Sequence, residues 1–117
     1  MLLVRGKGWP KNFFALCTGY LEAQDESPMA AILREVKEEL SIDIAVKELI
    51  GVYEFKEKNE LMIVYLVAPL VKDQKVRLSE ELEDWKLVPI SKLKPWRYGT
   101  GKAVADYLKK KFTPSKL

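Results

Sequence analysis

The chain has 117 residues, the size of one domain, and 48% of them are hydrophobic and 32% charged. That balance excludes a disordered chain, and the lack of histidine excludes a Cys-His catalytic pair and a histidine zinc site. The formal net charge of +3 suits an anionic small molecule as well as a nucleic acid, so charge alone does not choose a partner.

Cysteine usage and hydropathy indicate the compartment. Cys17 is the only cysteine, so the chain cannot form an internal disulfide and we expect a reducing environment. The longest apolar run, Leu61 to Leu70, is too short to span a bilayer as a helix. Arg5 and Lys7 follow the first apolar residues, whereas a signal peptide has its cations before them. We therefore expect a cytoplasmic protein with one domain over residues 1–117.

The first part of the chain predicts two short strands and then a helix. Met1 to Arg5 is an apolar strand, the turn-rich segment 6–12 is a loop, and Phe13 to Thr18 is the second strand. Ser27 can cap a helix, and the proline that follows suits a first helical position. Apolar residues then recur every three to four positions, which predicts a helix from Pro28 to Leu40.

The second part of the chain is richer in strands. Ile44 to Phe55 predicts a strand with a bend or bulge near Gly51. Leu61 to Leu70 is almost continuously apolar, which predicts a central strand buried on both faces and ended by Pro69. The remaining predictions are a turn at 56–60, a loop and short strand at 72–78, a strand at 85–88, a helical turn and loop at 89–96, a helix from Lys102 to Phe112, and a frayed tail.

One face of the predicted helix is acidic. Residues three and four apart share a helix face, so Glu35, Glu38 and Glu39 lie together and repel one another unless a cation lies between them. Clustered carboxylate oxygens suit a hard divalent metal ion. The alternative is an ordinary amphipathic helix with solvated charges, in which Arg34 and Glu38 form a surface pair.

Residues 19–42 resemble the Nudix hydrolases. The signature of that family is a glycine, five residues, a glutamate, seven residues and then R-E-U-x-E-E-x-G-U, where U is a bulky aliphatic residue. Six residues separate Gly19 from Glu26, where the signature has five, and Ser41 stands in place of its second glycine. The positions that match are Glu26, Arg34, Glu35, Val36, Glu38, Glu39 and Ile42. A solvated helix would explain the charges but not this set of positions.

The resemblance implies both a fold and a metal site. The fold is the Nudix α/β/α sandwich with a mixed β-sheet, here without the usual first strand, and the cofactor is Mg²⁺ or Mn²⁺. Glu35 and Glu39 correspond to the main metal ligands, and Glu38 to a third carboxylate that ligates the metal or activates water. The backbone carbonyl of Gly19 corresponds to a further ligand.

Further residues acquire roles from the same resemblance. Arg34 corresponds to a residue that orients the site, and Glu26 to the acid that pairs with it. Many members use a carboxylate from a later loop as a metal ligand or general base. We favour Glu81 for this role, with Glu80 second, although Glu80, Glu81 and Glu83 read equally well as solvated loop charges.

Three residues are candidates for substrate binding. Tyr20 and Trp9 can offer rings to a base, although such aromatic residues more often cover a core. Arg97 lies in a loop rich in aromatic residues and can meet a phosphate, and a simple connector explains that loop equally well.

The predicted function is hydrolysis of the diphosphate linkage in a nucleoside diphosphate joined to another group. The local sequences TGYLE and NELM are most similar to NAD(H) and dinucleotide pyrophosphatases, with ADP-ribose-like compounds and nucleoside triphosphates left open. One alternative is a catalytically silent nucleotide-binding module. Another is a nucleic-acid binder that uses Lys109 to Lys111, but the dipole of the last helix explains those lysines better. An uncovered sheet edge also favours a homodimer.

Overall fold

The computed structural model describes residues 1–97 and 99–112, with side chains up to Lys110. Tyr98 in the predicted aromatic loop, and the predicted tail after Phe112, lie outside the described residues. The elements are β1 (Leu2–Gly6), α1 (Pro28–Leu40), β2 (Ile44–Phe55), β3 (Glu60–Pro69), β4 (Leu82–Leu87) and α2 (Gly101–Phe112), with 3₁₀ turns at Lys56–Lys58 and Ile90–Lys92. None of the helices in this part of the chain could cross a membrane.

The bounds of α1 confirm the prediction from its capping residues. The hydroxyl of Ser27 accepts a hydrogen bond from the backbone N–H of Ala30 at 3.1 Å, and Pro28 occupies the first turn. The helix ends at Ser41, whose φ of 61° lies in the left-handed region that favours glycine. The N–H of Ser41 reaches the carbonyl of Lys37 at 3.0 Å and closes the last turn. The replacement of the signature glycine by serine therefore leaves the helix exit intact.

The strands form two antiparallel ladders. In one, β1 pairs with β4, with Leu2 opposite Leu87; in the other, β2 pairs with β3, with Ile44 opposite Pro69. Two shifts of register interrupt the second ladder, one of them beside Gly51, and they confirm the predicted bulge. Both ladders are antiparallel, so the single mixed sheet that we expected is not what the described residues show.

Two predicted strands are wrong. In the described residues, the segment from Phe13 to Thr18 makes a single antiparallel bridge, between Ala15 and Val4, whose backbone groups exchange two hydrogen bonds. Segment 72–78 contains no strand, since its backbone instead follows the end of α1, with the N–H of Arg77 donating to the carbonyl of Leu40 at 3.0 Å.

Strand β1 lies between the two helices. Val4 packs with Val36 and Leu40 of α1, whereas its neighbour Leu3 packs with Val104 of α2. Successive side chains of a strand point to opposite faces, so the two clusters lie on opposite sides of β1. This layering is the α/β/α sandwich that the sequence predicts.

The predicted burial of β3 on both faces is wrong. Leu61 is 74% exposed and Ile63 is 42% exposed, while Met62 and residues 64–68 are half-buried. The only partner of β3 in the described residues is β2. A continuous apolar run gives the same sequence pattern whether one or both faces are covered, so the pattern could not distinguish the two arrangements.

Candidate active site

The side chain of Arg34 is the centre of the acidic region. Its Nη1 donates to Oε1 of Glu35 at 2.9 Å and to Oε2 of Glu38 at 3.2 Å. Its Nη2 donates to the backbone carbonyl of Tyr20 at 3.0 Å, so the same guanidinium group also fixes the loop before α1. The remaining two hydrogen bonds of the guanidinium go to Asp25. These bonds stabilise the charged form and raise the pKa of Arg34 above its ordinary value. All five N–H donors of the guanidinium are therefore used.

The acid that pairs with Arg34 differs from the prediction. Nε and Nη2 of Arg34 each lie 2.9 Å from an oxygen of Asp25, in a two-pronged pair. Glu26, which the signature places in this role, is exposed, and its side chain makes no ion pair with the described residues. The extra residue of the loop therefore lies between the acid and the helix, because five residues separate Asp25 from Gly19, as in the signature.

Gly19 lies directly against Glu35. A β-carbon at position 19 would overlap the carboxyl group of Glu35, so any other residue there would displace the Glu35 side chain. Glu35 is 9% exposed although it is charged, and Arg34 supplies its ion pair at 2.9 Å. Gly19 therefore lies in close contact with the acidic helix, and the role of its carbonyl as a metal ligand stays a prediction.

Glu39 is held by a residue that the sequence analysis did not place in the site. The thiol of Cys17 donates to Oε2 of Glu39 at 3.2 Å. Burial raises the pKa of Glu39, this hydrogen bond lowers it, and the charges of Glu35, Glu81 and Glu38 raise it further. The carboxylates of Glu35, Glu38 and Glu81 thus lie within electrostatic reach of Glu39.

Among the loop glutamates, Glu81 is the one whose charge acts on the pKa of Glu39, so we place it nearest to the helix carboxylates. The N–H of Ser79 donates to the carbonyl of Glu39 at 3.0 Å, which holds the loop beside the end of α1. The carbonyl of Glu81 accepts from the N–H of Lys7 at 3.0 Å. Glu83, by contrast, forms an ion pair with Arg5 at 3.0 Å. The structure therefore brings Glu81 towards Glu39 and directs Glu83 elsewhere.

The predicted substrate-binding residues are not all in one place. Tyr20 is 66% exposed beside the Arg34 network. Trp9 is 38% exposed, lies over Gly6, and follows the turn whose Lys7 meets the Glu81 loop. Arg97 is exposed and follows Trp96, which packs into the core on the α2 side of β1 rather than on the α1 side. Tyr20 thus adjoins the Arg34 network and Trp9 follows a turn bonded to the Glu81 loop, whereas Arg97 follows a residue of the cluster on the α2 side.

The donor set fits a hard divalent cation. As the side chains stand, no three acidic, cysteine or histidine groups of the described residues converge tightly enough to hold a metal. Glu35 and Glu38 each give one oxygen to Arg34, and Glu39 gives one to Cys17, so each keeps a second oxygen. These oxygens on one helix face are the ligands that Mg²⁺ and Mn²⁺ prefer.

Two residues that the sequence analysis missed are Asp25 and Cys17. Asp25 had a signal, because its spacing from Gly19 is that of the signature glutamate, but the spacing from Arg34 favoured Glu26. No sequence signal pointed to Cys17, because it contacts Glu39 only in the folded chain and the two residues are far apart in sequence.

Comparisons with known proteins identify the family and the fold of the chain. A family model described as the NUDIX domain matches residues 1–107. Among curated proteins, none matches the chain significantly.

Several solved structures have the same fold. An ADP-ribose pyrophosphatase from Streptococcus suis has a TM-score of 0.73 at 18% identity, over 97% of this chain and 84% of that one. An Ap4A hydrolase from C. elegans has a TM-score of 0.66 at 21% identity, over 96% and 83% of the two chains. A UDP-X diphosphatase has a TM-score of 0.66 at 24% identity, over 93% of this chain but 52% of its own. The chain therefore belongs to the NUDIX family of pyrophosphohydrolases.

Proposed function

We propose that the chain hydrolyses the diphosphate linkage of a nucleoside diphosphate joined to another group, with Mg²⁺ or Mn²⁺ as cofactor. The similar structures that act on ADP-ribose, Ap4A and UDP-linked substrates support this class of substrate. Within the class, the sequences around Gly19 and Asn59 favour NAD(H) or another dinucleotide, ahead of ADP-ribose-like compounds and nucleoside triphosphates.

One observation carries the proposal. Glu39 lies on α1 within electrostatic reach of three further carboxylates, and burial followed by the charges of those carboxylates raises its pKa, while its hydrogen bond with Cys17 lowers it. The nearby cation, Arg34, has all its donors engaged, two of them by Asp25. Repulsion among the carboxylates is costly in the absence of a counter-ion, and a divalent cation would relieve it.

The residues have distinct roles in this mechanism. Glu35, Glu38 and Glu39 would hold the cation together with the carbonyl of Gly19. When bound, a divalent cation neutralises the charge of the diphosphate and lowers the pKa of attacking water. Arg34 keeps Glu35 and Glu38 in position through its hydrogen bonds at 2.9 and 3.2 Å.

A second group of residues acts on water and substrate. Glu81 accepts the proton of the attacking water as a general base, because it is exposed and lies beside Glu39. Tyr20 and Trp9 offer exposed rings to the base of the nucleotide. Arg97 meets a phosphate only if its segment moves towards the α1 side of β1.

The test is the appearance of the phosphate-ester products of diphosphate hydrolysis, such as AMP from NADH or ADP-ribose, when a panel of nucleotides is incubated with the protein in Mg²⁺ or Mn²⁺. The panel contains NADH, ADP-ribose, nucleoside triphosphates and dinucleoside polyphosphates, and the variants are Glu39→Gln and Glu57→Gln. Glu57 lies in the exposed 3₁₀ turn between β2 and β3, so its variant is a matched control for loss of a glutamate charge. We expect Glu39→Gln to lower kcat by about a hundredfold or more, and Glu57→Gln to leave it unchanged.

The same panel tests the silent-module alternative. If the wild-type protein binds a nucleotide but hydrolyses none of the panel, the hydrolase proposal is wrong and the binding module replaces it. If Glu57→Gln loses as much activity as Glu39→Gln, the helix carboxylates are not the catalytic centre.

We also propose a cytoplasmic location and a homodimer. The lone cysteine supports the first, and the exposed Leu61 and Ile63 of β3 support the second. Light scattering of the purified protein measures its mass, and a monomer at all concentrations would contradict the dimer.

A further inference from the structure

The guanidinium of Arg34 is divided between two kinds of partner. One edge, formed by Nε and Nη2, meets both oxygens of Asp25 at 2.9 Å. Its other terminal nitrogen, Nη1, faces Glu35 and Glu38, which are two of the proposed metal ligands. Asp25 therefore holds the side of Arg34 that faces away from those ligands.

Asp25 is itself fixed in place. Its side chain is 5% exposed, and Oδ2 also accepts the backbone N–H of Glu22 at 2.8 Å. The N–H of Asp25 returns a bond to the carbonyl of Glu22 at 3.0 Å, which closes a tight turn. The hydrogen bonds from Arg34, and then the one from Glu22, hold the pKa of Asp25 below its ordinary value, so this carboxylate is charged at neutral pH.

We propose that Asp25, and not Glu26, is the residue that positions Arg34 so that the carboxylates of α1 can accept a cation. This inference rests on the proposed function. The signature alone assigns the role to Glu26, whose exposed side chain makes no hydrogen bond with the described residues.

The physical reason is competition for the carboxylates. With Asp25 present, Arg34 takes Oε1 of Glu35 and Oε2 of Glu38 and leaves the other oxygen of each for a cation. Without Asp25, Nε and Nη2 of Arg34 lose the oxygens to which they donate. The guanidinium group then reorients towards the remaining carboxylates. Arg34 then competes with the cation for the same oxygens, and metal affinity falls.

Asp25 also acts on the loop before α1. The nitrogen that binds Oδ2 of Asp25, Nη2, also binds the carbonyl of Tyr20 at 3.0 Å. Tyr20 adjoins Gly19, whose carbonyl is a proposed ligand. A shift of the guanidinium group would therefore move this ligand as well as Glu35.

The test compares Mn²⁺ binding by the wild-type protein, Asp25→Asn, Asp25→Ser and Glu26→Gln. The signal of free Mn²⁺ in electron paramagnetic resonance gives the dissociation constant without substrate or turnover. Serine can still accept the N–H of Glu22 and keep the turn, so Asp25→Ser remains informative if Asp25→Asn does not fold. The metal-free melting temperature of each variant reports its structural effect separately.

We expect both Asp25 variants to bind Mn²⁺ about tenfold or more weakly, because partners behind metal ligands contribute that much to affinity, while Glu26→Gln stays within about twofold. Equal binding by all four proteins, or a larger loss in Glu26→Gln, would overturn the assignment to Asp25. A lower melting temperature with unchanged Mn²⁺ affinity would reduce Asp25 to a structural role and also overturn it. If the wild-type protein binds no Mn²⁺, the proposed metal-dependent function fails, and the role of Asp25 fails with it.

Discussion

The thiol of Cys17 and the carboxylate of Glu39 form a hydrogen bond of 3.2 Å that joins the segment before the loop to the acidic helix. Burial, followed by the charge of Glu39, its hydrogen bond and the charge of Glu35, raises the pKa of this thiol above its ordinary value. Cys17 is therefore protonated at neutral pH and is a hydrogen-bond donor to the site rather than a nucleophile.

Thiol reactivity tests this relationship. Because only the thiolate attacks a disulfide reagent, we expect folded wild-type protein at pH 8 to react at least about a hundredfold more slowly than the urea-unfolded chain. Glu39→Gln removes one of the charges that raise the pKa, so its thiol should react faster than wild type but more slowly than the unfolded chain, because burial remains. Glu57→Gln is the control and should react as wild type does. Equal rates in the folded and unfolded protein would contradict the raised pKa.

A methyl group at position 19 should disable the site. The β-carbon of Gly19→Ala would overlap the carboxyl of Glu35, so Glu35 must move away from its place beside Arg34. Misplacement of a catalytic group by about 1 Å can cost about a hundredfold, so we expect kcat/KM to fall by about ten- to a hundredfold.

Gly8→Ala is the control for this substitution. Gly8 has a φ of 83°, and a β-carbon added there would meet no neighbour within 4 Å, so alanine strains the backbone without touching the carboxylates. We expect a loss of stability of about 1 kcal/mol with kcat/KM unchanged. Activity losses of equal size in the two variants would show that the contact with Glu35 is not the cause.

Glu81 and Glu80 form a matched pair of neighbouring loop carboxylates. The charge of Glu81 raises the pKa of Glu39, and no such effect of Glu80 is present. Loss of a general base costs about a hundredfold or more, so we expect Glu81→Gln to lower kcat by that factor, with Glu80→Gln close to wild type. In metal-free protein, Glu81→Gln should also lower the pKa of Glu39, which carbon-detected NMR of the carboxyl group measures. A larger kcat loss in Glu80→Gln would reverse the assignment.

Local signals determined how much of the fold could be predicted. The bounds of α1 follow from the Ser27 cap and the regular apolar spacing, both of which lie within the helix and its first flanking residue. The exposure of Leu61 was not predictable, because it depends on which element covers the outer face of β3. The prediction of a strand from Phe13 to Thr18 was wrong for a similar reason. A strand needs a partner paired along its length, and this segment pairs with β1 at one position only.

The same distinction applies to the site. The glutamates of α1 are fixed relative to one another by helix geometry, so their shared face could be predicted. The choice between Asp25 and Glu26 depends on which carboxylate reaches Arg34 across the loop, and a linear spacing does not contain that information. Cys17 and Glu39 are 22 positions apart in the sequence, so only the tertiary structure brings them together.

The hydrogen bond between Tyr53 of β2 and Asp106 of α2, 2.7 Å long, should stabilise the α2 side of the sandwich. Burial, together with the hydrogen bond and charge of Asp106, raises the pKa of Tyr53 to about 12. An unfolded tyrosine titrates near pH 10, so this contribution is complete below about pH 10 and is lost as the pH rises towards 12. We expect Tyr53→Phe to lower the free energy of unfolding by about 1 kcal/mol at pH 8, with a smaller difference from wild type at pH 11. Urea unfolding at the two pH values measures this, and Tyr65→Phe is the control, since its hydroxyl makes no hydrogen bond with the described residues. A difference that stays constant between the two pH values would contradict the raised pKa of Tyr53.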